Sequence, residues 1–232
     1  MGDITFFRLC ESHINRPRSA VKAAAYRAGE KLTHKDNIYD YSFRRDVIHT
    51  EILLPANAPP EFLDRQTLWV VAEKAEDTST RRTTARTAHE ILVSFPRELE
   101  IDTCITMVKE LIETCFVSQG MCADFVVHRG DSKEENHIEC NHEEIPLHNP
   151  HAHIMLPTRH VEGERFNKRK AREWEDWGGK SGLLTQWRKE WADIQNRMFE
   201  RKGLPWRVSH LSYKKQEQER DLKNERSSGI SR

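Results

Sequence analysis

No stretch of the chain approaches the roughly 18 consecutive apolar residues that a membrane-spanning helix requires, so membrane insertion is not expected. The first ten residues, MGDITFFRLC, lack a basic region followed by a long apolar run, and no secretory signal is read there. Gly2 has no second membrane-anchoring signal beside it. Five cysteines, at 10, 104, 115, 122 and 140, are odd in number and nowhere spaced CxxC. That sets aside a disulfide scaffold and makes a reducing cytoplasm with free thiols the expected setting. There is no Walker sequence, hence no nucleotide cofactor to expect, and no internal repeat. There is also no net charge: 37 Lys+Arg stand against 37 Asp+Glu. A disordered class is excluded in turn, because nine Phe and six Trp in 232 residues suffice for a sizeable core.

The zero net charge hides an uneven distribution. Residues 1–50 carry nine basic and six acidic side chains, 51–150 carry nine and nineteen, and 151–232 carry nineteen and twelve. A nucleic-acid binder needs positive charge on one face and not overall, so that class stays open beside ordinary solvated surface.

Residues 4–10 read as a first strand and Arg18–Leu32, rich in Ala, Lys and Glu, as a helix with Pro17 at its start. Residues 33–46 are polar and turn-rich. Val47–Leu54 reads as a strand and Gln66–Glu76 as a helix. AHEILVSF closes a third segment as a strand, and Asp102–Gln119 is an amphipathic helix capped at Asp102 and stopped by Gly120. Cys122–His128 and His151–Leu156 are further strands, a basic loop or short helix covers 159–175, and Leu183–Lys202 is a long helix with Trp187 and Trp191 at core spacing. Residues 214–232 are charged, without apolar periodicity, and are expected to fray or stay disordered. Strands and helices mix without regular βαβ alternation. The expected class is α+β, a central antiparallel sheet of about five strands with helices packed on it.

Two local features carry chemistry. In Pro150-His151-Ala152-His153, a strand sends both imidazoles to one face, where together they can hold a metal. A third ligand should come from a neighbouring strand, and His128 closes the preceding one. Taken alone, an HxH pair is more often two surface histidines at a sheet edge. The second feature is Tyr26, on a helix face nearly bare of bulky groups and shared with Lys22. A phenol is a poor nucleophile at its free pKa of about 10 and needs activation by a charge or metal. Taken alone, it is more often a half-buried core tyrosine.

Together with their surroundings these features resemble the MobA/MobL family of plasmid conjugative relaxases, in the HUH endonuclease superfamily. The matching stretches are RSAVKAAAYRAGEKL, HTEILLPANAP, RTAHEILVSFPREL, VVHRGD with NPHAHIMLPTR, and WRKEWADIQNRMFERKGLPWRVSHLSY, in that order. They span about residues 4–213, and residues 1–213 are expected to form the relaxase domain.

The resemblance implies nicking of single-stranded DNA at a transfer origin. Tyr26 would be the nucleophile, His151 and His153 the HUH pair, and His128 the third metal ligand. Glu90 falls where the family carries a carboxylate, to orient a ligand histidine or to accept the tyrosine proton. His89 beside it must face the other side of a regular strand. Three imidazoles suit Zn, Mn, Fe or Ni better than Mg, whereas the resemblance implies turnover with Mg or Mn.

Segment 129–149 is longer than the loop usual in relatives, and is read as an insertion. Its His137, Cys140, His142 and His148 offer a second metal site, a solvated hairpin being the favoured reading, and His148 competes with His128.

DNA is expected along Arg18 and Lys22 beside the nucleophile and along Arg159, Arg165, Lys168, Arg169, Lys170 and Arg172 after the HUH strand. Trp174, Trp177 and Trp206 are candidates for stacking on unpaired bases. Expected partners are origin DNA, accessory DNA-binding proteins and a type IV coupling protein. The rivals are a rolling-circle initiator or transposase, which generally place the tyrosine after the HUH motif, and a DNA- or metal-binding module without catalysis. Tyr39 and Tyr41 keep a two-tyrosine reading open. The chain is expected to be either a minimal relaxase or the relaxase domain of a longer protein.

Overall fold

The structure is a computed structural model. It describes residues 7–77, 83–130, 137–140, 143–146, 150–174, 182–212, 214–218 and 220–221, the segments 137–140 and 143–146 by backbone alone. In chain order the elements are β1 (Leu9–Asn15), α1 (Ala20–Ala28), β2 (Lys31–His34), β3 (Asn37–Asp40), β4 (Val47–Leu53), α2 (Arg65–Glu76), β5 (Arg86–Ser94), α3 (Ile101–Cys115), β6 (Ala123–His128), β7 (His137–Cys140), β8 (Glu143–Pro146), β9 (His151–Pro157), β10 (Val161–Glu162), β11 (Arg165–Phe166) and α4 (Leu183–Arg201).

Five strands form one antiparallel sheet in the order β1-β5-β9-β6-β4. The α+β expectation with a five-stranded sheet therefore holds. Both faces are covered, so β5, β6 and β9 are buried along nearly their whole length, as strands between two helical layers must be. On one face, Ile91, Phe125 and Ile154 pack with Met107 and Leu111 of α3 and Trp187, Trp191 and Phe199 of α4. On the other, Ala88 and Met155 pack with Ala24 and Ala25 of α1 and Leu68 and Trp69 of α2. No helix among the described residues is long and apolar enough to cross a membrane.

Several boundaries differ from the sequence reading. The first strand lies at 9–15, because Leu9–Asn15 pairs along β5 as an edge strand that tolerates Glu11, Ser12 and His13. Residues 4–6 lie outside the described residues. Helix α1 is shorter than 18–32. Ser19 caps its start by accepting from the Lys22 amide, and Gly29, left-handed at φ 64°, ends it with its amide donating to the Ala25 carbonyl.

The turn-rich segment holds the β2–β3 hairpin. Asp102 is not a cap: α3 begins after Glu100, and Asp102 lies in the first turn. A short 3₁₀ turn at Val117–Gln119 takes up the rest of the expected helix, and Gly120 follows at φ 85°. The basic segment forms the small β10–β11 ribbon and a 3₁₀ turn at Arg172–Trp174. In the inserted segment, β7 pairs with β8 as a hairpin. His142, His148, Trp177 and 222–232 lie outside the described residues, as do the side chains of His137 and Cys140. Residues 214–218 are helical.

Candidate metal centre and tyrosine helix

Register brings the three histidines together. His128 at the end of β6 pairs directly with His151 of β9, and His153 follows two residues along on the same face. The ring centroids stand 5.4 Å apart for His128–His151, 4.9 Å for His128–His153 and 5.1 Å for His151–His153. Each residue offers one ring nitrogen, and the three nitrogens lie within 4.8 Å of one another. All three side chains are buried.

Their hydrogen bonds suit ligation. His153 Nδ1 lies 2.7 Å from Glu90 Oε1, an acceptor, so Nδ1 carries the hydrogen and Nε2 keeps its lone pair. His128 Nε2 lies 2.7 Å from the Arg27 carbonyl and must donate to it, which leaves Nδ1 with the lone pair. Burial pushes the His153 imidazole below its ordinary pKa despite the opposing Glu90 carboxylate. Burial, with the neighbouring His153, pushes His128 down to about 3. Both rings are therefore neutral, the form that binds a metal.

Glu90 is the hub of this arrangement. Ser12 donates to Oε2 at 3.1 Å, and Arg27 forks onto both carboxylate oxygens through Nε and Nη2. Burial alone would raise the Glu90 carboxyl, but Arg27 and the His153 hydrogen bond outweigh it and hold it far below the usual range. A carboxylate held ionised among these partners is suited to orienting the His153 ring.

Arg27 therefore secures the last turn of α1 over the triad twice, through its guanidinium and through its carbonyl. Tyr26, one residue earlier, is 42% exposed and not in the core. The Arg44 guanidinium carbon stands 4.2 Å from its ring centroid, and Tyr41 meets the ring edge-on at 5.2 Å. Arg44 also forks onto Asp46, whose Oδ2 lies 3.9 Å from His128 Nδ1. Sequence reasoning missed Arg27, Arg44 and Asp46. Arg27 adjoins Tyr26 in the chain and was within reach, whereas nothing in the polar run 33–46 marks Arg44 or Asp46.

The basic residues divide. Arg18, Lys22, Lys168 and Arg169 are exposed. Arg159 and Lys170 are not free for DNA: Arg159 Nε donates to buried Glu76 Oε1 at 2.7 Å, and Lys170 Nζ lies 2.8 Å from Glu76 Oε2. The stacking candidates fare likewise. Trp174 is buried, 5.2 Å from Trp187, and Trp206 packs partly buried against the same core. His89 does face away, buried on the opposite side of the sheet, where its ring lies 5.5 Å from that of His13 and burial pushes its pKa well down. With Glu11 these two histidines form a second group of potential ligand atoms within 4.8 Å of one another.

A buried three-histidine group that could hold a metal ion thus lies on the central strands of the antiparallel sheet, beneath a helix that exposes a tyrosine. The chain belongs to the MobA/MobL family, whose model matches residues 18–229. It is 25% identical to the conjugal transfer protein TraA of Rhizobium radiobacter, over 86% of this chain and 19% of that protein. It is 29% identical to the mobilization protein MobL of Acidithiobacillus ferridurans, over 85% of this chain and 55% of that one. The chain thus spans about a fifth of TraA and about half of MobL. A solved structure described as the molecular basis of vancomycin resistance transfer in Staphylococcus aureus superposes with a TM-score of 0.71 at 28% identity, covering 90% of this chain and all of that one.

Proposed function

We propose that this chain nicks one strand of DNA at a plasmid transfer origin, with Tyr26 as the nucleophile and a divalent metal held by His128, His151 and His153. The observation that carries this reading is the double attachment of Arg27, which seats the tyrosine-bearing turn of α1 on the same Glu90–His153–His128 network that orients the ligands.

When bound, the ion supplies Lewis-acid polarisation of the scissile phosphate and stabilises its developing charge. Tyr26 gives up its phenolic proton to solvent, and its oxygen forms a new bond to phosphorus. The bond from phosphorus to the 3′ oxygen breaks, and that oxygen takes a proton from solvent. The products are a free 3′-hydroxyl and a 5′-phosphotyrosyl link, and the reverse reaction rejoins the strand without an external energy source. Glu90 fixes the His153 tautomer, while Arg44 and Tyr41 hold the ring of Tyr26. Exposed Arg18, Lys22, Lys168 and Arg169 offer phosphate contacts. Accessory DNA-binding and type IV coupling proteins are the partners such a reaction needs in transfer.

The test is incubation of the protein and a divalent metal with a labelled single-stranded origin oligonucleotide, followed by a denaturing gel. Tyr26→Phe is expected to lose the covalent adduct while binding the oligonucleotide like wild type, because only the nucleophilic oxygen is removed. An adduct that persists in Tyr26→Phe and vanishes in Tyr39→Phe or Tyr41→Phe would assign the reaction to another phenol.

A further inference from the structure

The tryptophans expected to stack on bases are buried, packed partly buried against the core or outside the described residues, yet a large aromatic does stand free beside the tyrosine helix. Phe43 is 70% exposed. A solitary exposed apolar residue needs no explanation, but Phe43 is not solitary. Its ring lies 6.2 Å from that of Tyr41, and Tyr41 meets the exposed ring of Tyr26. Three aromatic rings thus run from the tyrosine to the surface, with Arg44 over the first and exposed Arg45 next in the chain.

The turn that carries Phe43 is held in place at its base. Ser42 donates to Asp40 Oδ1 from its amide at 3.2 Å and its hydroxyl at 2.7 Å, and the Arg44 amide donates to the Tyr41 carbonyl at 3.1 Å. The turn also docks on the end of α1. The Tyr41 amide donates to the Glu30 carbonyl, and a Cβ at Gly29 would stand 3.4 Å from Arg44 Cβ and 3.6 Å from the Tyr41 carbonyl oxygen. An exposed ring on an anchored turn, with exposed Arg45 two residues along the same segment, offers a flat apolar face and a positive charge on one short stretch of chain. Unpaired nucleobases on a phosphate backbone present the complement.

We propose that Phe43 is a stacking platform for the base of a nucleotide flanking the scissile phosphate, with Arg45 beside it for the backbone. This rests on the reading of the chain as a single-strand nickase, but it concerns binding and is tested without cleavage.

The experiment measures anisotropy of a labelled oligothymidylate and of an abasic strand of the same length, each titrated with the intact chain. Phe43→Ala is expected to weaken oligothymidylate binding about 5- to 150-fold, the range that one base–aromatic stack spans, and to leave abasic-strand binding unchanged. Phe43→Trp is expected to restore the preference for bases. Equal losses on both strands, or none on either, would overturn the platform while leaving the nickase reading intact. A wild-type protein that binds neither strand would likewise overturn the platform, while loss of the covalent adduct on the origin oligonucleotide is what would overturn the nickase reading.

Discussion

Glu90 and His153 meet diagonally across the β5–β9 pairing, Oε1 to Nδ1 at 2.7 Å, with Met155 opposite Glu90 and Leu92 opposite His153. This contact decides which nitrogen of His153 is available to a metal. Glu90→Gln can still accept that hydrogen bond, but it loses the charge that Arg27 and His153 both meet. Metal affinity is expected to fall roughly 10- to 100-fold, as it does when the partner of a ligand histidine is removed. Isothermal titration with Mn or Zn against wild type is the check, and an unchanged affinity would show that Glu90 does not support the ligand.

The ligands themselves should respond as a set. His128→Ala, His151→Ala and His153→Ala each remove one of three imidazoles and are expected to lower bound metal sharply, as read by elemental analysis after dialysis. His148→Ala should leave the stoichiometry at the wild-type value. A silent His128→Ala with a damaging His148→Ala would move the third ligand into the inserted segment.

Arg27 and Glu90 also make a stability prediction. Arg27 is mostly buried and Glu90 nearly wholly so. Arg27→Ala leaves an ionised carboxylate without its main counter-charge, a change that costs about 3–5 kcal/mol at buried pairs. Urea unfolding of the metal-free protein measures it directly. Arg27→Lys, which keeps charge but not the fork, should fall between. An Arg27→Ala variant as stable as wild type would mean that packing and the backbone bond to His128 hold α1 on the sheet without help from the Arg27–Glu90 pair.

The histidine triad was legible in the sequence because strand periodicity is local: alternation aligns His151 with His153, and the next strand ends in His128. Tyr26 and Glu90 depended on surrounding motifs for their meaning. What could not be read is what tertiary docking creates. Arg44 and Asp46 sit in a polar turn, and only its approach to Gly29 brings them to Tyr26 and His128. The basic run after β9 misled for the same reason. Glu76, which engages Arg159 and Lys170, is 83 residues from Arg159 in the chain, and composition reveals nothing of such a partner.

That division predicts two different mutant behaviours along one basic segment. Lys168 and Arg169 are exposed, so neutralising both should weaken binding to every single strand alike. If both meet phosphates, the slope of log K against log salt should become shallower by roughly 1.4, at about 0.7 per contact. Lys170→Ala should leave that slope near the wild-type value and lower the melting temperature instead. An unchanged slope in the double variant would place the DNA track at Arg18 and Lys22.

Glu76 supplies a pH dependence whose sign follows from its surroundings. The residue is fully buried, with Thr158 donating to Oε1 at 2.8 Å beside the Arg159 contact. Burial alone would raise its carboxyl, but Arg159 and Lys170 outweigh that and hold it below the usual carboxylate range. A carboxyl depressed in the folded state binds its proton more readily in the unfolded chain. Its contribution to stability is therefore complete above the unfolded value of about 4.3, and is lost as pH falls through the lower folded value. In Glu76→Gln the two cations lose their counter-charge, so the variant should melt well below wild type at pH 7. The gap should narrow progressively below about pH 4, where the carboxyl of the unfolded wild-type chain binds its proton while the folded one is still ionised. Thermal melts of both proteins from pH 7 to pH 3 make the comparison. A gap that stays constant across that range would mean that Glu76 stabilises the fold by packing and hydrogen bonding, without a contribution from its charge.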